Sequence, residues 1–178
     1  DQQGQAEIAT WALEHLHAAV PGQPAVVAAL AKAGDYAVAQ AHVFGEETPR
    51  TLYLRHDADG WAVVLDTTSA GVAQFEQAGV PFSLAQPGER RDAVVAAEAH
   101  LQDPRGQGMD GSLVIEAFAD SFARIVFMPT DRDHYDTPTM FFAGTQSGWQ
   151  FITAGTAFTP ADYDALRIPK SVRSAEPR

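Results

Sequence analysis

The sequence predicts an α+β fold of two tandem units, each a helix plus a four-stranded antiparallel meander and a short terminal helix. Three observations carry that reading. Residues 51 to 69, TLYLRHDADGWAVVLDTTS, and residues 139 to 157, TMFFAGTQSGWQFITAGTA, read as hairpins in which Gly-Trp opens the second strand, at a constant offset of 88. A helix-period stretch precedes each set of strands, and each ends at a proline, Pro21 or Pro104. The segments between are short, and in the second unit β-branched and aromatic, as strands are.

Taken in order, residues 6 to 20 (AEIATWALEHLHAAV) place Ile8, Trp11, Ala12, Leu16, Ala19 and Val20 at helical spacing, and Pro21-Gly22 ends the run. Residues 25 to 32 (AVVAALAK) have a composition that suits a helix. Their short length, the Ala33-Gly34-Asp35 turn and the counterpart from Leu113 to Phe118 point to a strand instead. Further strands follow at Tyr36 to Phe44 and at Phe122 to Met128.

The turns Asp57-Ala58-Asp59-Gly60 and Thr145-Gln146-Ser147-Gly148 end in a glycine able to take positive φ, as a type I turn with a bulge requires. That turn sets Leu54 opposite Val63 and Leu52 opposite Leu65, and in the copy Phe142 opposite Phe151 and Met140 opposite Thr153. Trp61 and Trp149 become structural anchors under a covering helix. Residue classes keep matching at the same offset: Tyr53 with Phe141, Val64 with Ile152, Phe75 with Tyr163, Val80 with Ile168, and Pro81 with Pro169. A short helix follows each hairpin, begun in the second unit by Thr159-Pro160-Ala161-Asp162, an N-cap, a first-turn proline and an acidic residue three after the cap. Residues 89 to 102 form the second long helix, with Val94, Ala97 and Leu101 on one side. The units are bounded as 1–82 and 89–170, with a linker at 83–88 and a flexible polar tail at 171–178.

A chain of 178 residues, 46% hydrophobic, has enough apolar side chains for a sizeable core. Its longest apolar runs, such as Ala25 to Ala31, fall well short of the roughly 20 residues of a membrane span. A net charge of -11 with no basic cluster beyond Arg90-Arg91 argues against nucleic acid and anionic membranes as partners. With no cysteine, disulfides, thiolate metal sites and cysteine nucleophiles are excluded. The polar lead DQQGQ suits a mature chain after leader removal, so the expected location is outside the cytoplasm, in the periplasm, the envelope or the medium.

The helix followed by a four-stranded antiparallel sheet resembles the cystatin-like and nuclear-transport-factor-like group, and the tandem arrangement resembles the beta-lactamase inhibitory proteins. YAVAQAHV with GWAVV and GVP, and FARIVFMP with GWQFI and RIP, is similar to exported bacterial proteins of unknown function. The resemblance covers most of both units and implies an architecture without functional residues. The inhibitory proteins carry a cysteine pair in each unit, and this chain has none.

Candidate sites are sparse. GQGMDG at 106–111 matches G-x-G-x-x-G, but a helix precedes it and a strand follows, the reverse of a dinucleotide loop, so it reads as a surface loop. Asp131, Asp133 and Asp136, with His134, could wrap a cation. The central glycine and distal glutamate of a calcium loop are missing, and the segment reads as a solvated acidic loop. His15 and His17, two apart on a helix, point to different sides. His56 beside Asp57 is the one conceivable acid–base pair. No motif asks for a cofactor.

The sheet face opposite the long helices carries Tyr53, Arg55, Ala62 and Val64, and Thr139, Phe141, Ala143 and Ile152, too apolar for a solvated face. Either the units cover it themselves or it binds something. The sequence therefore supports an exported non-catalytic protein presenting Tyr53, Arg55, Val64, Phe141 and Ile152 to a protein partner. A carrier of a small apolar ligand between helix and sheet is the alternative, followed by an enzyme using an acid–base pair such as His56 and Asp57.

Overall fold

The computed structural model describes residues 1–85, 88–102 and 108–174. The chain runs α1 (Gln2–Ala19), β1 (Ala25–Ala33), β2 (Tyr36–Val43), β3 (Arg50–Asp57), β4 (Gly60–Thr67), α2 (Val72–Ala78), α3 (Glu89–Leu101), β5 (Gly111–Ala119), β6 (Phe122–Pro129), β7 (Thr139–Thr145), β8 (Gly148–Gly155) and α4 (Pro160–Ala165). A 3-10 turn follows α2 at Phe82–Leu84, and another follows α4 at Lys170–Val172. This is an α+β protein with one eight-stranded sheet in the order β4-β3-β2-β1-β5-β6-β7-β8. Every pair is antiparallel except the central one, β1 with β5.

Alanines explain why β1 and β2 are strands despite helix-friendly composition. α1 lies across β1 and β5, and its small buried residues Ala9 and Ala12 meet Ala25, Ala29, Ala37, Ala39 and Ala41. Small side chains on both surfaces let the helix approach the sheet, and β1 is buried on both faces from Ala25 to Leu30. Asp1 caps α1 by accepting from the Gln3 and Gly4 N–H groups at 3.1 and 3.4 Å. Trp11 and Ala19, expected in the apolar stripe, lie outside the buried face, which is Ile8, Ala9, Ala12, Leu13 and Leu16. Trp11 instead covers Gly60, where an added Cβ would come within 2.7 Å of its Cζ2.

The other long helix, α3, covers the opposite face, burying Ala93, Val94 and Ala97 against Leu113, Ile125 and Phe142. Each short helix folds back onto the face that the nearer long helix leaves bare. Phe75 of α2 meets Tyr53 edge-on at 5.0 Å, and Tyr163 of α4 packs with Ile168 and Val172 on Phe141.

Both Trp hairpins carry a bulge, which corrects part of the expected register. Leu54 does face Val63 and Phe142 faces Phe151. Beyond the bulges, however, Leu52 faces Asp66 rather than Leu65, and Met140 faces Ala154 rather than Thr153. An extra residue, Val64 or Ile152, is inserted there and shifts the ladder by one.

Two expected boundaries also change. Leu84, placed in the linker, is buried in the 3-10 turn. Of the expected tail, Ser171 and Val172 belong to the second turn. Val172 is fully buried and its carbonyl accepts from Arg124 Nη1 at 2.9 Å, while Arg173 lies over the Tyr163 ring. The remainder of the tail, residues 175–178, lies outside the described residues.

Candidate functional site

The central parallel pair is the weak line of the sheet. β1 and β5 pair only through Val26–Gly111, Val27–Ser112 and Ala28–Leu113, although both strands run on. Just past that ladder each strand is bulged, at Leu30 and at Glu116. A bulge bends its strand and increases its twist, so the two strands part. On the α1 side Gln5 enters the gap and bonds both backbone groups of Ile115.

Two cavities open along this seam. One, about 290 Å³, lies on the α3 side with apolar walls of Leu30, Val38, Leu84 and Phe118. Thr51 and Tyr53 also line it, and Gly88, Glu89, Arg90 and Arg91 at the start of α3 close it. The other, about 250 Å³, lies on the α1 side among Ile8, Trp61, His56 and Lys32, and shares Leu30, Ala31 and Arg90 with the first.

Charge is unusual at the seam for so acidic a chain. Arginines half-buried elsewhere are held by carboxylates: Arg50 by Glu46 and Asp66, Arg124 by Glu116, and Arg173 by Asp164. Among the described residues Lys32, Arg90 and Arg91 have no such partner. Arg90 and Lys32 lie over rings instead, 5.8 Å from the Phe118 centroid and 5.4 Å from that of Trp61. Tyr53 is only 5% exposed, and burial raises its phenol above the ordinary range while nearby Arg91 pulls the other way. Neither the Tyr53 nor the Thr51 hydroxyl has a hydrogen-bond partner among the described residues. The N-cap of α3 is Gly88, which has no side chain to accept from the first-turn N–H groups.

Polar groups continue inward beneath α3. Gln40 is fully buried and Glu98 is 2% exposed, yet neither side chain has a hydrogen-bond partner among the described residues. Gln102, one turn past Glu98, reaches His42 at 2.8 Å, and Gln40 precedes His42 by two on the same strand face. Arg91 at the other end of α3 shares the cavity with Val38, so helix and strand run in the same direction. Burial pushes the Glu98 carboxyl well above its usual range and lowers the His42 imidazole.

The expected binding surface is not offered as a face. Tyr53 is buried beneath α2, Phe141 beneath α4, and Val64 and Ile152 are half-buried; only Arg55 is exposed. The chain's own short helices cover the apolar strip. Trp61 is buried under α1 with Lys32 over its ring, and Trp149 is half-buried against Phe118 at 5.2 Å.

Asp131, Asp133 and Asp136 are exposed, and Asp131 is turned onto His134 Nδ1 at 2.9 Å. No three His, Asp or Glu side chains converge there among the described residues. His56 and Asp57 are engaged separately: His56 lies edge-on to Trp61 at 5.0 Å, while Asp57 accepts from the Asp59 N–H within the turn. Of GQGMDG, Gly106 and Gln107 lie outside the described residues, Gly108 packs on the Phe44 ring, and Gly111 opens β5.

Sequence reasoning missed two features. Arg50 bonds Asp66 at 3.1 Å and chelates Glu46, and Asp66 also bonds His15 at 3.0 Å. This network ties α1 to the ends of β3 and β4 and holds Glu46 below the usual carboxylate range. The seam cavities were missed because they depend on β1 lying beside β5, which no local pattern encodes. A wider depression of about 890 Å³ lies between α3 and the β7–β8 turn, but it is open to solvent and its residues Glu89, Asp92, Val95, Ala99 and Gln146 are exposed. No protein-family model, no curated protein and no solved structure matches the chain.

Proposed function

We propose that this is a non-catalytic binding protein that holds one small ligand in the seam cavity between α3 and the sheet. The observation that carries the reading is a cavity walled by Leu30, Val38, Leu84 and Phe118 that is also lined by the polar side chains of Thr51 and Tyr53 and by the start of α3. Apolar walls with a few convergent polar groups are the usual form of a small-ligand site, the apolar part holding the body of a guest and the polar groups orienting it. Its volume of about 290 Å³ stands at the lower bound of the roughly 300–1,000 Å³ typical of small-ligand sites. Native mass spectrometry of protein isolated without denaturation tests this: a stoichiometric extra mass lost on Leu84→Trp, which fills the cavity, supports it. No retained mass, together with no thermal shift across a fragment library, sinks it.

The underlying proposal about architecture is that the chain uses one structural unit twice. Supporting it, the bulges at Leu30 and Glu116 are 86 residues apart, those at Val64 and Ile152 are 88 apart, and the pairs His56–Trp61 and Gly144–Trp149 occupy matching registers.

A protein partner is the second reading, now engaged at the sheet edge. β8 ends the sheet and is free of charge and proline from Gly148 to Gly155, with Phe151 exposed and stacked on His100 at 3.8 Å. Edge strands of this kind accept an added strand. A Thr153→Lys change should abolish capture of such a partner, and unchanged capture removes the reading.

A further inference from the structure

Resting on the ligand-cavity reading, we infer that the guest is a small carboxylic acid whose carboxylate meets Arg91, Arg90 and the start of α3 while its apolar body lies between Leu30, Val38 and Phe118. Three features of this one wall converge. Arg90, exposed, and Arg91, half-buried, are adjacent cations without ion-pair partners among the described residues, whereas the half-buried Arg50, Arg124 and Arg173 are each paired with a carboxylate in this chain of net charge -11. The 13-residue helix α3 starts at the cavity with Gly88 as its cap, leaving first-turn N–H groups for an acceptor other than a side chain. Tyr53 lines the same cavity, more than nine-tenths buried, with a hydroxyl free to donate.

Guanidinium groups bind carboxylates through paired, charge-assisted hydrogen bonds, and such bonds are strongest where water is excluded. Arg90 is already held by Phe118, so less freedom is lost when it takes a ligand. The single opposing charge on this wall, Glu89, is exposed and leaves the local balance positive. The apolar remainder excludes a bare inorganic anion as the best guest, because an ion alone leaves Leu30, Val38 and Leu84 without contacts.

Isothermal titration with benzoate and hexanoate, their neutral counterparts benzyl alcohol and hexanol, and inorganic phosphate tests the assignment. The acids should bind more tightly than the alcohols by about tenfold or more, and phosphate more weakly than either acid. In the doubly substituted Arg90→Gln/Arg91→Gln protein the acids should lose that advantage while the alcohols bind as before. Both arginines have solvent-accessible side chains, and an unchanged melting temperature shows that the fold is retained. Alcohols binding as well as acids, or acids indifferent to the double substitution, overturn the carboxylate assignment and leave the cavity reading standing. Phosphate competing as well as benzoate overturns the assignment of an organic acid. Absence of binding by every probe at millimolar concentration overturns the cavity reading itself.

Discussion

Gln5 donates from Nε2 to the Ile115 carbonyl at 3.1 Å and accepts from the Ile115 N–H at 3.0 Å, so one side chain of α1 stands in for the strand that has turned away. That substitution allows the sheet to open at its centre without orphaning backbone groups. Gln5→Ala should cost about 1–3 kcal/mol, the penalty of unsatisfied buried polar groups, and should speed exchange of the Ile115 amide. Urea unfolding with amide exchange measures both. Unchanged exchange at Ile115 would mean that the seam is held by something else.

Gly60 and Gly148 occupy matching turns with φ of 120° and 112°, yet only Gly60 lies under a ring. Alanine at either position should cost about 1–3 kcal/mol in backbone strain. Gly60→Ala should cost more, since its Cβ would meet Trp11, whereas nothing lies within 4 Å of the Cβ position at Gly148. Adding Trp11→Ala should remove the excess, and a double-mutant cycle in urea reads it directly.

Glu98 makes stability depend on pH in a direction opposite to an ordinary paired carboxylate. Above its ordinary value of 4.5 the unfolded chain releases this proton while the folded protein, whose carboxyl is raised by burial, keeps it. The folded state then binds more protons, so stability falls as pH rises through the window between 4.5 and the raised folded value, by up to about 1.4 kcal/mol per pH unit. Glu98→Gln stays neutral and should gain on the wild type progressively over that window. His42, lowered by burial, acts the other way: its contribution is present above 6.5 and is lost as pH falls through the depressed value. Because both proteins contain His42, the difference in melting temperature against pH isolates Glu98. A flat difference would place its carboxyl in contact with water.

Much of the fold is legible in the residues because its elements are locally marked. Pro21-Gly22 closes α1, Gly60 and Gly148 require their turns, and Thr159 with Asp162 forms a reciprocal cap on α4. The β-bulges are not marked: nothing in Val64 or Ile152 announces an inserted residue, so pairing beyond them comes out one residue off. The apolar strip of Tyr53 and Phe141 was legible, but what covers it was not, since periodicity gives a helix its apolar stripe and no direction in space. Phe75 and Tyr163 turn back onto it. The cavity was least legible, because Leu30, Tyr53, Leu84, Arg91 and Phe118 come from five segments, and Phe118 is brought beside Leu30 by the parallel pairing of β1 with β5.

A methyl-resolved NMR titration with benzoate tests the central claim most directly. Saturable shifts are expected at the Leu30, Val38 and Leu84 methyls, with Val95 in the open depression beside α3 unmoved. Shifts confined to Val95 and Ala99, or none at Leu30, Val38 and Leu84 for benzoate and for benzyl alcohol alike, would contradict it.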